Sequence, residues 1–194
     1  MKQTALLCIV FFSYAAVQAQ DFNKALAEAR TAYSTGKLDD ARFSMQQMLQ
    51  ELDLITGREI MKLLPAKMQD QTGNAASDDV SGSSGFIGVV IHRDYGADNK
   101  KIDVEVISNS PMVTSINAVL SMPLISSMGD NKVIKIGGYK ALVQKSSNGN
   151  GFDYEVQLPL RATLITLRAP GYTQDQVMQM ANTLPVAQIA RIVQ

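Results

Sequence analysis

Cysteine is almost missing from this chain. Its one thiol, Cys8, lies in an apolar leader, and tryptophan is absent throughout. A disulfide framework, a cysteine-ligated metal and a catalytic thiol are therefore excluded beyond that leader. Histidine occurs once, as His92. Charge of one sign is lacking too: 18 Lys and Arg stand against 18 Asp and Glu. No segment gathers the basic residues into a stripe, so nucleic acid has no electrostatic footprint here. A membrane-spanning helix needs about 20 apolar residues, and no run reaches that length.

What the chain does have begins with that leader. Lys2 is followed by an apolar stretch from Ala5 to Ala16, interrupted only by Ser13. Val17-Gln18-Ala19 then supplies a small-residue cleavage pattern before Gln20-Asp21. A positive start, roughly 7–15 apolar residues and such a site define a secretory signal. Residues 1–19 are expected to be removed, leaving no transmembrane segment and a soluble periplasmic or extracellular protein. A buried N-terminal helix is the structural alternative. A lipid-attachment role for Cys8 fails on position, because too little apolar chain precedes it.

Residues 20–65 read as a helical hairpin. Leu26, Ala29 and Tyr33 lie on one stripe, and Ser34-Thr35-Gly36 breaks it. Leu38, Ala41, Met45, Met48, Leu52 and Ile55 then recur at spacings of three and four, which draws an apolar face along a second helix. A third short helix is expected from Arg58 to Leu64, closed by Pro65. Ala32, Tyr33, Gly36, Leu38, Ala41, Met45 and Met48 resemble one tetratricopeptide repeat. Arrays of that family need about three units, so a lone hairpin implies a partner surface.

Residues 66–85 hold few large apolar groups among Gly, Ser, Asp and Asn, and read as a flexible linker. From Phe86 to the C-terminus the pattern alternates. Residues 86–95, 100–108, 132–146, 152–158 and 160–169 read as five strands. Ile102, Val104 and Val106 oppose Lys101, Asp103 and Glu105; Phe152, Tyr154, Val156 and Leu158 oppose Asp153, Glu155 and Gln157. Ser110 as N-cap with Pro111 at the first helical position starts a helix that Pro123 ends. Its buried face is expected to hold Met112, Ile116, Val119 and Leu120. Thr173 with Gln176 forms a capping box for a last helix burying Val177, Met180, Ala181 and Leu184. The fold class is α+β, with order ββαβββα and both helices on one face of an antiparallel sheet.

The residues Arg93, Tyr95, Asn109, Ser110, Pro111, Ile136, Gly138, Ala141 and Leu142 resemble the pattern of a group of uncharacterised exported bacterial proteins. Those proteins also place a short helical region before an α+β domain. In strand order the C-terminal half is similar to PsbP-like domains, which act as binding and assembly modules. The resemblance brings no catalytic motif, and fold analogy alone does not establish function. It points to Arg93, Tyr95, Ser110, Pro111 and Tyr139 as a binding surface.

A hydrolase triad would bring His92 to Ser110 or Ser115 with Asp94, a geometry that spacing does not require. Asp103 and Glu105 alternate against an apolar face, as a solvated strand does. Met45 with Met48, and Met178 with Met180, lack a second His or Cys to complete a copper site. Gly137-Gly138 is too short for a phosphate cradle and reads as a bulge or close backbone approach. No catalytic, cofactor or metal residues are therefore assigned. The sequence reads as a non-enzymatic binding or assembly protein with an envelope or secreted protein as partner. The alternative is a carrier of a lipid or other apolar molecule, lined by Met112, Ile116, Leu120, Val177 and Met180.

Overall fold

The computed structural model describes residues 21–82, 88–97, 100–122, 131–147 and 152–193. The expected leader and the stop at Pro123 lie outside the described residues. Among those described, no helix is long and apolar enough to cross a membrane. The chain divides into two compact units, Met1–Ile55 and Thr56–Gln194.

In the first unit, residues 21–34 form helix α1 and helix α2 starts at Leu38. Gly36 adopts φ +76, a left-handed value that glycine takes without steric cost, and reverses the chain. Among its described residues, Ala25, Ala29, Ala32, Ala41 and Ser44 are buried. The seam is thus made of small side chains. The stripe from Leu38 to Ile55 reads differently in the structure, because only Ala41 of that set is buried while Leu38 and Met45 are exposed.

The expected third helix does not exist separately: α2 runs unbroken over Leu38–Leu63. Gly57 does not end it. The bare Cα is needed there, since a Cβ would meet Val89 Cγ1 at 2.7 Å and Val80 Cγ1 at 2.8 Å. Close packing holds this glycine inside a helix despite a propensity cost of about 1 kcal/mol.

The second unit is built on one antiparallel sheet of seven strands, not five. Strands β3 (Asp79–Gly82), β4 (Val89–Tyr95), β5 (Ile102–Ile107), β6 (Asn131–Ile136), β7 (Tyr139–Ser147), β8 (Phe152–Leu160) and β9 (Thr163–Ala169) lie in the order β3-β4-β5-β9-β8-β7-β6. Two features account for the larger count. The stretch read as one strand across Gly137-Gly138 is a hairpin, with Ile136 opposite Tyr139 and φ +57 and +89 at the two glycines. Positive φ at both central positions is the two-residue turn that matches strand twist. The segment read as a flexible linker supplies β3, together with the small hairpin of β1 (Lys67–Met68) and β2 (Gln71–Thr72). Met68 is fully buried there, so this part of the segment is packed structure.

The sheet is covered on both faces. Helix α3 (Met112–Ser121) packs Val113, Ile116 and Leu120 against Leu142 and Leu164. Register places those two leucines on the same face as Glu105 and Gln157. The other face carries Val104, Val156, Leu158 and Leu167, all buried. Gly57 of α2 meets Val89 and Ile91 on that second face. Helix α4 (Gln174–Thr183) and helix α5 (Val186–Ile192) bury Val177, Met180, Ala181, Val186 and Ile189 outside the α3 cluster. Helices on one face alone, as the sequence suggested, would have left Leu142 and Leu164 in water. The capping box at Thr173 is present: its N–H donates to Gln176 Oε1 at 2.9 Å, and Gln176 N–H donates back.

Candidate functional site

Alternation along β4 puts His92 and Asp94 on one face, two residues apart. Across the sheet, His92 stands opposite Glu105 and Asp94 opposite Asp103. Arg168 of β9 stands opposite Asp103, and Glu155 of β8 opposite Arg168. The part of the sheet face not under α3 therefore carries a lattice of ionisable groups.

His92 sits between two carboxylates. Its Nε2 lies 3.0 Å from Asp94 Oδ1 and its Nδ1 3.2 Å from Asp103 Oδ2. The remaining oxygens face cations: Lys101 Nζ is 2.7 Å from Asp94 Oδ2, and Arg168 Nη1 is 3.3 Å from Asp103 Oδ1. Arg168 also reaches Glu155 at 3.0 Å and Glu105 at 3.7 Å. Asp94 is the buried member, its side chain 5% exposed. Burial pushes the Asp94 carboxyl up, but the hydrogen bond from Lys101, Ser77 beside it and the charge of His92 outweigh burial and hold it below the usual carboxylate range. The same bond raises Lys101. Asp94 Oδ1 makes no hydrogen bond that meets full geometry, although His92 Nε2 stands 3.0 Å from it.

On the opposite face of β4, Arg93 is a structural clamp. Its guanidinium donates from Nε to Asp78 Oδ1 at 2.8 Å, pairs Asp78 Oδ2 through Nη2, and donates from Nη1 to the Leu64 carbonyl at 3.0 Å. The hydrogen bond to Asp78 raises its pKa. Tyr95 is fully buried, and burial pushes its hydroxyl up to about 12 although the Arg93 charge pulls the other way. No hydrogen bond to the hydroxyl meets full geometry, although Arg93 stands near enough to draw its pKa down.

The five residues expected to form a binding surface are dispersed. Arg93 and Tyr95 face the core side of β4, where Tyr95 is out of solvent's reach. Ser110 is buried; its N–H donates to Ala162 O at 2.8 Å and its side chain does not cap α3. Pro111 takes the N-cap place, and with Ser110 one residue further out the helix turns Val113 inward and leaves Met112 half exposed. Pro111 and Tyr139 are exposed. The five residues of the imagined ligand cavity are split as well: Ile116 and Leu120 pack from α3 onto Leu142 and Leu164, while Val177 and Met180 are buried outside that cluster. His92 meets carboxylates instead of Ser110 or Ser115.

A second candidate lies on the hairpin. With its seam filled by alanines, the large side chains stay outside: Tyr33 is 68% exposed, Phe43 61% and Leu49 62%, with Leu38 and Met45 also at half or more. One groove of about 170 Å³ is lined by Leu26, Ala29, Arg30, Tyr33, Met45 and Met48. Comparison with family models, curated proteins and solved structures finds no match for this chain.

Proposed function

We propose that this chain is an exported, non-enzymatic protein of the bacterial envelope, and that its N-terminal hairpin binds an amphipathic helix of another protein. The leader supports export, by its charge, apolar stretch and cleavage pattern. One observation carries the binding role: the hairpin is built with small residues inside and large apolar ones outside. Ala25, Ala29, Ala32 and Ala41 are buried, whereas Tyr33, Leu38, Phe43, Met45 and Leu49 face solvent. Tyr33 and Met45 border one groove of the hairpin and Phe43 another, and exposed apolar side chains grouped in this way mark interaction sites. Met45 and Met48 along the groove add side chains that adapt to a partner's shape, and grooves of this kind accept helices through apolar anchors.

The test uses the full chain beside the triple variant Tyr33→Ser, Phe43→Ser, Leu49→Ser in quantitative pull-downs from envelope extracts. Recovery of a defined protein partner by the native chain and its loss by the variant is expected. Equal recovery by both would remove the hairpin from the account.

A further inference from the structure

We propose that His92, Asp94 and Asp103 form a binding site for a divalent transition-metal ion, of which Zn2+ is the natural probe. The three side chains converge from two paired strands, and one donor atom from each lies within 4.8 Å of the other two. Ligand atoms on a shared zinc ion sit about 2.0–2.2 Å from it, which places neighbouring donors roughly 3–4 Å apart. The 3.0 Å between His92 Nε2 and Asp94 Oδ1 falls in that range.

Ion pairing leaves the cluster incomplete. Asp94 and Asp103 are direct cross-strand partners, and like charges so placed repel. Asp94 Oδ1 is the independent sign. It belongs to a side chain 95% removed from solvent, makes no hydrogen bond that meets full geometry, and points at the ring. An orphaned carboxylate oxygen of this kind is costly unless a cation completes it.

The outer partners are already arranged as a metal site requires. Each aspartate gives one oxygen to a basic side chain, Lys101 or Arg168, and turns the other toward the imidazole, Asp94 at Nε2 and Asp103 at Nδ1. Such outer contacts fix the orientation of ligating carboxylates. Among the described residues, the four carboxylates Asp94, Asp103, Glu105 and Glu155 are faced by Lys101 and Arg168 beside His92, so a dication meets net negative charge. His92 and Asp103 are 27% and 24% exposed, which gives an ion a way in. Imidazole with carboxylates suits zinc and its neighbours better than calcium or magnesium.

Because His92 is the only histidine, the test needs no substitution to be read. Untagged, chelator-treated full-length protein is titrated with Zn2+, and the imidazole signals are followed by NMR. Expected are a saturable shift of the His92 ring signals with one equivalent of Zn2+, and no shift with Ca2+. Asp103→Asn should weaken binding at least about tenfold, while Lys135→Ala, on a distant strand, should leave it unchanged. Absence of a saturable His92 shift, or a shift equal for Zn2+ and Ca2+, would reduce the cluster to an ion-pair network and overturn the proposal. So would unaltered affinity in Asp103→Asn. Should that variant not fold, the native titration decides alone.

Discussion

Gly57 lies directly against Val89, so close that a Cβ on the glycine would stand 2.7 Å from Val89 Cγ1. Val80 and Ile91 close the same spot. The obstructing atoms are methyls on stiff β-branched residues, which cannot swing aside. Gly57→Ala gains helix propensity of about 1 kcal/mol but incurs overpacking of roughly 1–3 kcal/mol. A net loss of stability is expected in urea unfolding, and Val80→Ala placed in the same chain should relieve part of it. A stabilised Gly57→Ala would mean that α2 does not press on the sheet there.

The Arg93–Asp78 clamp ties β4 to the segment before β3 and to the end of α2 at Leu64. Its side chains are only 16% and 21% exposed. Removing one partner leaves a poorly solvated charge, and Arg93→Met is expected to cost about 3 kcal/mol. The double variant Arg93→Met, Asp78→Leu should recover much of that loss. Additive losses in the cycle would show that the pair acts separately.

Acid should weaken the protein through Asp94. Its carboxyl is held below the usual carboxylate range in the folded chain. A group depressed on folding contributes stability that is present above its unfolded pKa and lost as pH falls through the folded one. Unfolding free energy is therefore expected to drop on acidification below about pH 4, and Asp94→Asn should flatten that limb. An unchanged acid limb in the variant would take Asp94 out of the account.

Tyr95 works at the other end of the scale. Its hydroxyl, pushed up to about 12 by burial, stays neutral in the fold while an unfolded tyrosine ionises near 10. A raised acid pKa costs stability as pH climbs past the unfolded value. Tyr95→Phe removes a buried hydroxyl that lacks a hydrogen bond of full geometry, so it should be neutral or stabilising at pH 7 and should reduce the alkaline loss. A clear destabilisation at pH 7 would reveal a hydrogen bond that the geometry does not contain.

On the hairpin, stability and binding should separate. Phe43→Ser and Leu49→Ser alter exposed side chains and are expected to change stability by no more than about 0.5 kcal/mol. Ala29→Leu, at a seam position 3% exposed, should cost roughly 1–3 kcal/mol by overpacking. Thermal unfolding of the three variants checks the contrast, and a large loss for Phe43→Ser would make that face core.

Much of the fold could be read from residue order because alternation survives where one side of a strand is buried. Ile102, Val104 and Val106 are all out of water, opposite Asp103 and Glu105. The capping box at Thr173 was legible because it is local chemistry. Less visible was the turn at Gly137-Gly138, since apolar residues continue across it and only the backbone sign marks the reversal. The segment around Asp78 and Met68 reads as tether because its anchoring groups are few, yet Met68 is buried and Asp78 pairs with Arg93. The His92 cluster was beyond reach for a related reason: Asp94 and Asp103 meet through strand register, which composition does not encode. For the hairpin, spacing gave the stripe from Leu38 to Ile55 but not its direction. Alanines won the seam because only small side chains let two helices approach closely.

The outward apolar side chains of the hairpin are proposed as a docking surface for another protein. A photoreactive phenylalanine analogue at position 43, in the native host, tests it most directly, with the same analogue at exposed Arg191 as reference. The account predicts one discrete protein adduct on irradiation at position 43 and none at 191. No adduct at 43, or the same pattern from both positions, would contradict it.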